Sequence, residues 1–380
     1  MATDASTRQA AYPERGVLYM AIELSASKWR LAMSAGGEKV RDASVQPNDA
    51  EGLLAVIAKA KARLGLPESA EVRSCYEAGR DGFWVDRFLT GLGIRNLVLD
   101  ASSLKVDRRK RRAKSDRLDA RSMLRDLVRY WAGDTDVWRV VRVPTAEQED
   151  NRRLHRERER LKKERTQHRA RIRSLCATQG VTISRLSTLL EDLEAVTIWD
   201  GSPLPPELKA EIGREGERLA RVEQQLLELA QLQRERLEQL WSSSDELGKV
   251  RALMLLRGLG LDSAWLLVME LFWRKFQNRR QVAGAVGLGG TPYSSGATER
   301  EQGISKAGNP RVRARMIQLA WLWVRYQPNS PLTKWFEARF AGGGSRHRRV
   351  GIVAVARRLL IELWHFAEHG VVPRGAVIEI

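Results

Sequence analysis

Near Pro144 the chain changes its hydrophobic period, and that switch limits the folds open to it. Before it, short apolar runs rich in β-branched and aromatic residues alternate with amphipathic stretches; after it, long charged segments carry apolar residues at three- and four-residue intervals. A period of two buries one face of a sheet, and a period of 3.6 buries one stripe of a helix. The expectation is an α/β unit at 1–143, a helical coiled-coil region at 144–245 and a mainly α-helical C-terminal region at 246–380.

Val17 to Leu24 predicts a buried strand, Trp29 to Met33 a second and Lys39 to Val45 a third, with Gly36-Gly37 turning the last pair. Asn48 or Asp49 caps a helix carrying Leu53, Leu54, Ile57 and Leu64. Strand Ala70 to Tyr76, a helix from about Asp81 to Leu92, strand Asn96 to Asp100 and a helix opening near Ser115 follow. Three meandering strands and then βα units predict a mixed sheet with helices on its faces, the layout of a ribonuclease H-like (resolvase-like) fold. Beyond it, Leu154, Leu161, His168 and Leu175 recur every seven residues, and Leu219, Val222, Leu226 and Leu229 keep a three-four spacing. Each is a thin seam that needs a partner, with His168 as a polar register position. The Gly201-Ser202-Pro203 and Pro205-Pro206 interruption allows an antiparallel pair or an arm embracing a second subunit.

Lys and Arg number 65 against 47 Asp and Glu, a net charge of +18. Lys105–Arg129 carries net +7 and Arg152–Arg173 net +8, so most of the excess sits in two stretches. A field that localised attracts polyphosphates and weakens with salt through counterion release. Arg108-Arg109-Lys110-Arg111-Arg112 with Lys114 is its densest part, and nucleic acid is the expected partner. These runs lack the interleaved Trp, Phe and Leu of an interfacial helix, and no apolar segment reaches about 18 residues, so no membrane role is expected. The N-terminal residues lack the apolar core of a secretory signal, which predicts a cytoplasmic protein. Cys75 and Cys176 stand far apart and the five histidines are scattered, giving neither a disulfide framework nor zinc spacing.

Glu23 ends the first predicted strand, Glu77 follows the fourth, and Asp116 and Asp119 open the helix after the fifth. In the expected sheet those ends converge, an i, i+3 pair shares one helix face, and carboxylate oxygens suit a divalent ion. Clusters of this kind hold two Mg2+ ions about 3.5–4 Å apart for phosphoryl transfer. Singly, Asp116 reads as a helix cap and Asp119 as an arginine partner; jointly the acids predict a metal site. Further on, Thr291-Pro292-Tyr293-Ser294-Ser295-Gly296 sets a serine pair in a tight turn ahead of Gly303-Ile304-Ser305-Lys306-Ala307-Gly308-Asn309. A serine hydroxyl needs a base or a metal to draw off its proton, and Glu299 is the one acid close in sequence. Lys306, Arg311 and Arg313 stand ready as phosphate partners. Leu255 to Gly260, with glycines at Gly258 and Gly260, resembles a helix-hairpin-helix turn whose backbone N–H groups meet a phosphate.

In order along the chain, Ala21-Ile22-Glu23-Leu24-Ser25, Cys75-Tyr76-Glu77-Ala78-Gly79, Lys114-Ser115-Asp116-Arg117-Leu118-Asp119-Ala120, the Leu256–Gly260 turn, Tyr293-Ser294-Ser295-Gly296 and Ile304 to Asn309 resemble the DEDD transposase family. These are the insertion-sequence recombinases of group one-hundred-and-ten. The resemblance implies a resolvase-like domain with a four-acid Mg2+ site, a coiled-coil arm and a C-terminal transposase domain whose serine attacks DNA. It also implies a structured non-coding guide RNA that pairs with donor and target DNA, and self-association as a dimer or tetramer. Ser295, directly before Gly296, matches the nucleophile, with Ser294 as the fallback. The pattern opens on aspartate, whereas this chain carries Glu23, longer by one methylene. Two other readings fit the same residues: a structure-selective nuclease using metal-activated water, and a non-catalytic nucleic-acid-binding remnant.

Overall fold

The computed structural model describes residues 16–104, 116–295 and 298–379, with the backbone alone at 116–117, 292–295 and 298–301. They fall into two compact units, Met1–Thr145 and Ala146–Ile380.

The first unit carries strands β1 (Val17–Glu23), β2 (Trp29–Ser34) and β3 (Arg41–Val45), helix α1 (Ala50–Leu64), β4 (Glu71–Glu77), α2 (Trp84–Gly91), β5 (Arg95–Leu99) and α3 (Asp116–Trp131). One sheet runs in the order β3-β2-β1-β4-β5, antiparallel among the first three strands and parallel for β1 with β4 and β4 with β5. This is the mixed sheet the strand order predicts. Alternation along β1 sorts the two faces: Leu18, Met20 and Ile22 pack with Leu53, Ile57, Val85 and Leu89 of α1 and α2. Val17, Tyr19 and Ala21 pack with Ala120, Met123, Leu124 and Leu127 of α3. The sheet is thus sandwiched between two helical layers. Asp49 caps α1 by accepting from the Gly52 N–H at 2.8 Å. The second helix starts at Trp84, later than expected from Asp81, because Gly79–Gly82 first closes a turn with Gly82 at φ +70°. Arg121 of α3 grips Asp42 of β3 through two hydrogen bonds, tying the helix to the sheet edge.

The second unit begins with α4 (Ala146–Asp150), α5 (Arg153–Ala177), α6 (Leu186–Glu191) and α7 (Pro206–Leu240). Ile172 and Cys176 of α5 pack with Ile212 and Leu219 of α7, and Leu161 packs with Val222 and Leu226. The two helices therefore run antiparallel and each seam covers the other, so burying them takes no second subunit. His168 sits at this contact, its Nδ1 2.7 Å from Glu215 Oε2, which holds the Glu215 carboxyl below its usual range. Then come α8 (Asp245–Met254), α9 (Leu261–Leu267) running into a π turn at Val268–Phe272, α10 (Arg279–Val286), the hairpin β6 (Gly290–Ser295) with β7 (Thr298–Ile304), α11 (Pro310–Tyr326), α12 (Pro331–Phe336) and α13 (Ser345–His369). Their shared core centres on Trp265, Phe272, Leu319, Trp323, Leu359 and Leu363, and it takes in Leu154 and Leu237 from the helix pair. Cys75 and Cys176 are free and buried. Among the described residues no helix is long and apolar enough to cross a membrane.

Candidate active site and nucleic-acid interface

Strand pairing decides where the acids go. Ile22 of β1 sits opposite Tyr76 of β4, so Glu23 and Glu77 follow one step later at the carboxyl ends of adjacent parallel strands. Glu23 shares its parity with Val17, Tyr19 and Ala21, and Glu77 shares its parity with Cys75; all four of those reference residues lie in the layer that α3 covers. Asp119 stands in the first turn of α3, beside the buried Ala120. Glu23 and Glu77 thus belong to one side of one sheet end, and Asp119 to the helix that covers that side. The side chain of Asp116 lies outside the described residues, and among those described no three His, Cys, Asp or Glu stand close enough to hold a metal ion. The donor set is all carboxylate oxygen, which suits Mg2+ and not a soft metal.

In the second unit the serines occupy the end of a strand and not the tight turn expected for them. Ser294 pairs across the hairpin with Glu299 and Ser295 with Thr298. Glu299 is thus the acid in backbone register with Ser294.

The segment after the hairpin, Ser305 to Asn309, is bound into the fold by its backbone. Ser305 and Lys306 N–H groups donate to the carbonyls of Gly289 and Gly287, and Asn309 N–H donates to Ala285. Gly308 adopts φ +95°, and a Cβ there would lie 2.3 Å from the Ala285 carbonyl oxygen. Gly287 adopts φ +70°, and its Cβ would lie 1.9 Å from the Ala307 oxygen. Only glycine permits this approach of two chain segments. Lys306 itself holds φ +58°. Arg313 donates to the carbonyls of Val286 and Lys306 at 3.0 and 2.9 Å, and Arg311 reaches Glu159 at 3.0 Å.

Under this segment lies a buried carboxylate that sequence reasoning passed over. Glu270, 3% exposed, stands in the π turn and accepts from Arg156 at 2.7 and 2.9 Å and from Asn309 Nδ2 at 2.9 Å, with His155 Nε2 at 2.9 Å. Burial pushes its carboxyl up, and the hydrogen bonds from His155 and Arg156 outweigh burial, holding it well below the usual range. Its sequence signal is a lone acid in the apolar run from Ala264 to Trp273.

The basic residues divide into internal and outward groups. Arg108 to Arg112 and Lys114 lie outside the described residues. In Arg152–Arg173, six of the eleven cations bond residues outside this stretch on α7, α9 or the π turn: Arg152 to the Met269 carbonyl, Arg156 to Glu270, Arg158 and Lys162 to Asp262, Arg169 to Glu223 and Arg171 to Glu211; Arg153 and Arg160 pair locally with Asp150 and with Glu157 and Glu164. Much of that stretch's charge therefore fastens α5 to its neighbours. The Leu255–Gly260 turn joins α8 to α9, with Gly258 at φ +91° against the Tyr326 ring and Arg257 N–H taken by the Val377 carbonyl. A further positive surface, unforeseen from the sequence, lies on α13. There a cleft of about 1170 Å³ is lined by eight Lys and Arg, Lys306 among them, and among its described lining residues none is acidic.

Residues 250–334 match the model of the transposase IS116/IS110/IS902 family. The protein y4rJ of Sinorhizobium fredii (strain NBRC 101917 / NGR234), named as a transposase, is 40% identical over 380 residues, covering 96% of this chain and 95% of y4rJ. The transposase for insertion sequence element IS1111A of Coxiella burnetii (strain RSA 493 / Nine Mile phase I) is 25% identical over 296 residues, covering 75% of this chain and 74% of its own. With identity at that level along nearly its whole length, and the serine hairpin lying inside the matched region, the chain belongs to the IS116/IS110/IS902 family of transposases.

Proposed function

We propose that this transposase cuts and rejoins DNA strands through Ser295, with Glu23, Glu77, Asp116 and Asp119 holding Mg2+ and a structured guide RNA selecting the donor and target sites. The observation that carries it is the placement of Glu23 and Glu77 at adjacent strand ends on the side of the sheet covered by α3, the helix with Asp119 in its first turn. Family membership supports DNA as the substrate, and the resemblance of the motifs supports the guide RNA, the Mg2+ and a multimeric enzyme.

In this reading Ser295 Oγ attacks a backbone phosphorus. The Oγ–P bond forms as the hydroxyl gives up its proton, one strand P–O bond breaks, and the departing oxygen leaves with the electron pair and takes up a proton in return, so the step is proton-neutral. The link to serine keeps the phosphodiester energy, so a DNA hydroxyl reverses the step on a new partner without ATP. Mg2+, when bound by the four acids, supplies Lewis acidity to phosphate oxygens. Base pairing to the guide then reads sequence while protein cations grip the backbone.

The test is full-length protein with end-labelled element DNA, the transcript of the element's flank and Mg2+, quenched in denaturant. A DNA–protein adduct is expected, lost in Ser295→Ala and kept in Ser294→Ala, and absent with EDTA. Cut DNA with free ends that Ser295→Ala leaves unchanged would replace the serine by water, and binding without any cutting would make the chain a remnant.

A further inference from the structure

One face of α13 carries two chemistries in a single stripe. Arg346, Arg349, Arg357 and Arg358 alternate with Val350, Val353, Ala354 and Ile361 at three- and four-residue intervals, and all eight line the cleft. From Arg346 to Ile361 a helix rises about 22 Å. Val350 is 58% exposed, on a face that pairs its arginines with aliphatic side chains and, among the described lining residues, no acid. Trp335 and Phe340 extend the apolar floor, with the Arg358 guanidinium 4.0 Å from the Trp335 ring. The cleft's lining also includes the root of the serine hairpin: Gly290, Gln302, Gly303 and Ile304. Five residue steps along β6, about 17 Å, lead from Gly290 to Ser295.

We propose that this cleft binds an unpaired DNA strand, phosphates on the arginines and bases on the apolar stripe, and that it holds the flank of the strand Ser295 attacks. The choice of DNA rests on the transposase reading above; the choice of an unpaired strand rests on the cleft. Cations without acids select a polyphosphate over a protein surface, which brings both signs. A duplex keeps its bases stacked inside and offers such a surface chiefly sugar and phosphate, leaving Val350, Val353 and Ile361 nothing to cover. An unpaired strand has free base faces to lay on that apolar stripe. A strand entering along α13 meets the hairpin root and follows β6 outward to the serines.

The test compares the full-length chain with two variants, a triple change (Arg346→Ala, Arg349→Ala, Arg357→Ala) and Val350→Gln. Probes are a fluorescent 20-nucleotide oligo-dT, the same backbone without bases, a duplex of equal length and oligo-rU. Oligo-dT is expected to bind tightest. The triple variant should weaken it about tenfold and flatten its salt slope by about 2, from roughly 0.7 per lost phosphate contact. Val350→Gln, at an exposed site, should weaken oligo-dT about threefold and leave the abasic strand unchanged. Equal losses on duplex and abasic probes, tighter binding of oligo-rU, or unchanged binding with an altered sedimentation coefficient would each overturn the proposal, the last by making this face a contact between copies. The adduct assay separates the two readings: an adduct with no cleft effect sinks only the cleft, and a cleft effect with no adduct sinks only the serine.

Discussion

Asn309 joins the Ser-Lys-x-Gly-Asn motif to a buried charge: its Nδ2 donates to Glu270 Oε2 at 2.9 Å while its Oδ1 accepts from the N–H groups of Arg311 and Val312. One side chain therefore caps α11 and holds a carboxylate. Asp in its place keeps the cap but sets a second anion against Glu270, whereas Ser keeps the cap and removes the donor. Asn309→Asp should cost about 3 kcal/mol and Asn309→Ser about 1–2 kcal/mol, read from urea midpoints. An Asp variant as stable as the parent would show that Glu270 does not depend on this donor.

Acid should act through the same group. The Glu270 carboxyl is held below its ordinary value of 4.5, so folding favours its ionised form. That contribution is full above the unfolded value and drains away as pH falls below it. The stability gap between the parent and Glu270→Gln should therefore be constant from about pH 8 to 6 and narrow steadily below about pH 4.5. A gap of equal size at pH 7 and 3.5 would mean that the ionised state of Glu270 adds nothing.

The first unit was legible because its strands alternate cleanly and its turns carry Gly36 and Asp49, where local chemistry and final geometry agree; the Gly79–Gly82 turn, which delays α2 to Trp84, was not. The acids' shared sheet face follows from parity alone once β1 and β4 pair. The helix seams were legible as seams, but which surface would cover them was not, since a heptad pattern looks the same in one chain or two. The Arg152–Arg173 stretch misled as free charge because its carboxylate partners, Asp262, Glu270, Glu211 and Glu223, lie about 40 to 115 positions further on. The α13 stripe escaped because its arginines are diluted by aliphatic residues along the sequence and gather only on the helix surface.

Gly287 and Gly308 offer a sharper test of the fold around the serine hairpin. Each combines positive φ with a neighbouring carbonyl oxygen within 2.3 Å of the missing Cβ, and the atoms in the way are backbone. Gly370, at φ +68° after α13, has open space at the same position. Gly370→Ala should cost only about 1–2 kcal/mol of conformational strain. Gly287→Ala or Gly308→Ala should cost at least about 3 kcal/mol and shift the hairpin, visible as faster amide exchange across β6 and β7. Equal costs at all three glycines would mean that the close approach relaxes freely.

The four-acid site is tested most directly at Glu23, where the chain departs from the aspartate of the pattern it resembles. If the carboxylate binds Mg2+, charge is indispensable while reach is adjustable, because Ca2+- and Mg2+-type sites take oxygen ligands and the strand end absorbs small shifts. Glu23→Asp should then keep strand cutting within about tenfold, at a higher Mg2+ requirement. Glu23→Gln and Glu77→Gln should each lose about 100-fold or more, as expected when several kcal/mol of metal-assisted stabilisation vanish. DNA affinity measured in EDTA should change less than twofold in all three, since the acids would act through the metal and not as DNA contacts. A Glu23→Gln protein that cuts like the parent across a Mg2+ titration would remove Glu23 from the chemistry and leave it as the last residue of β1.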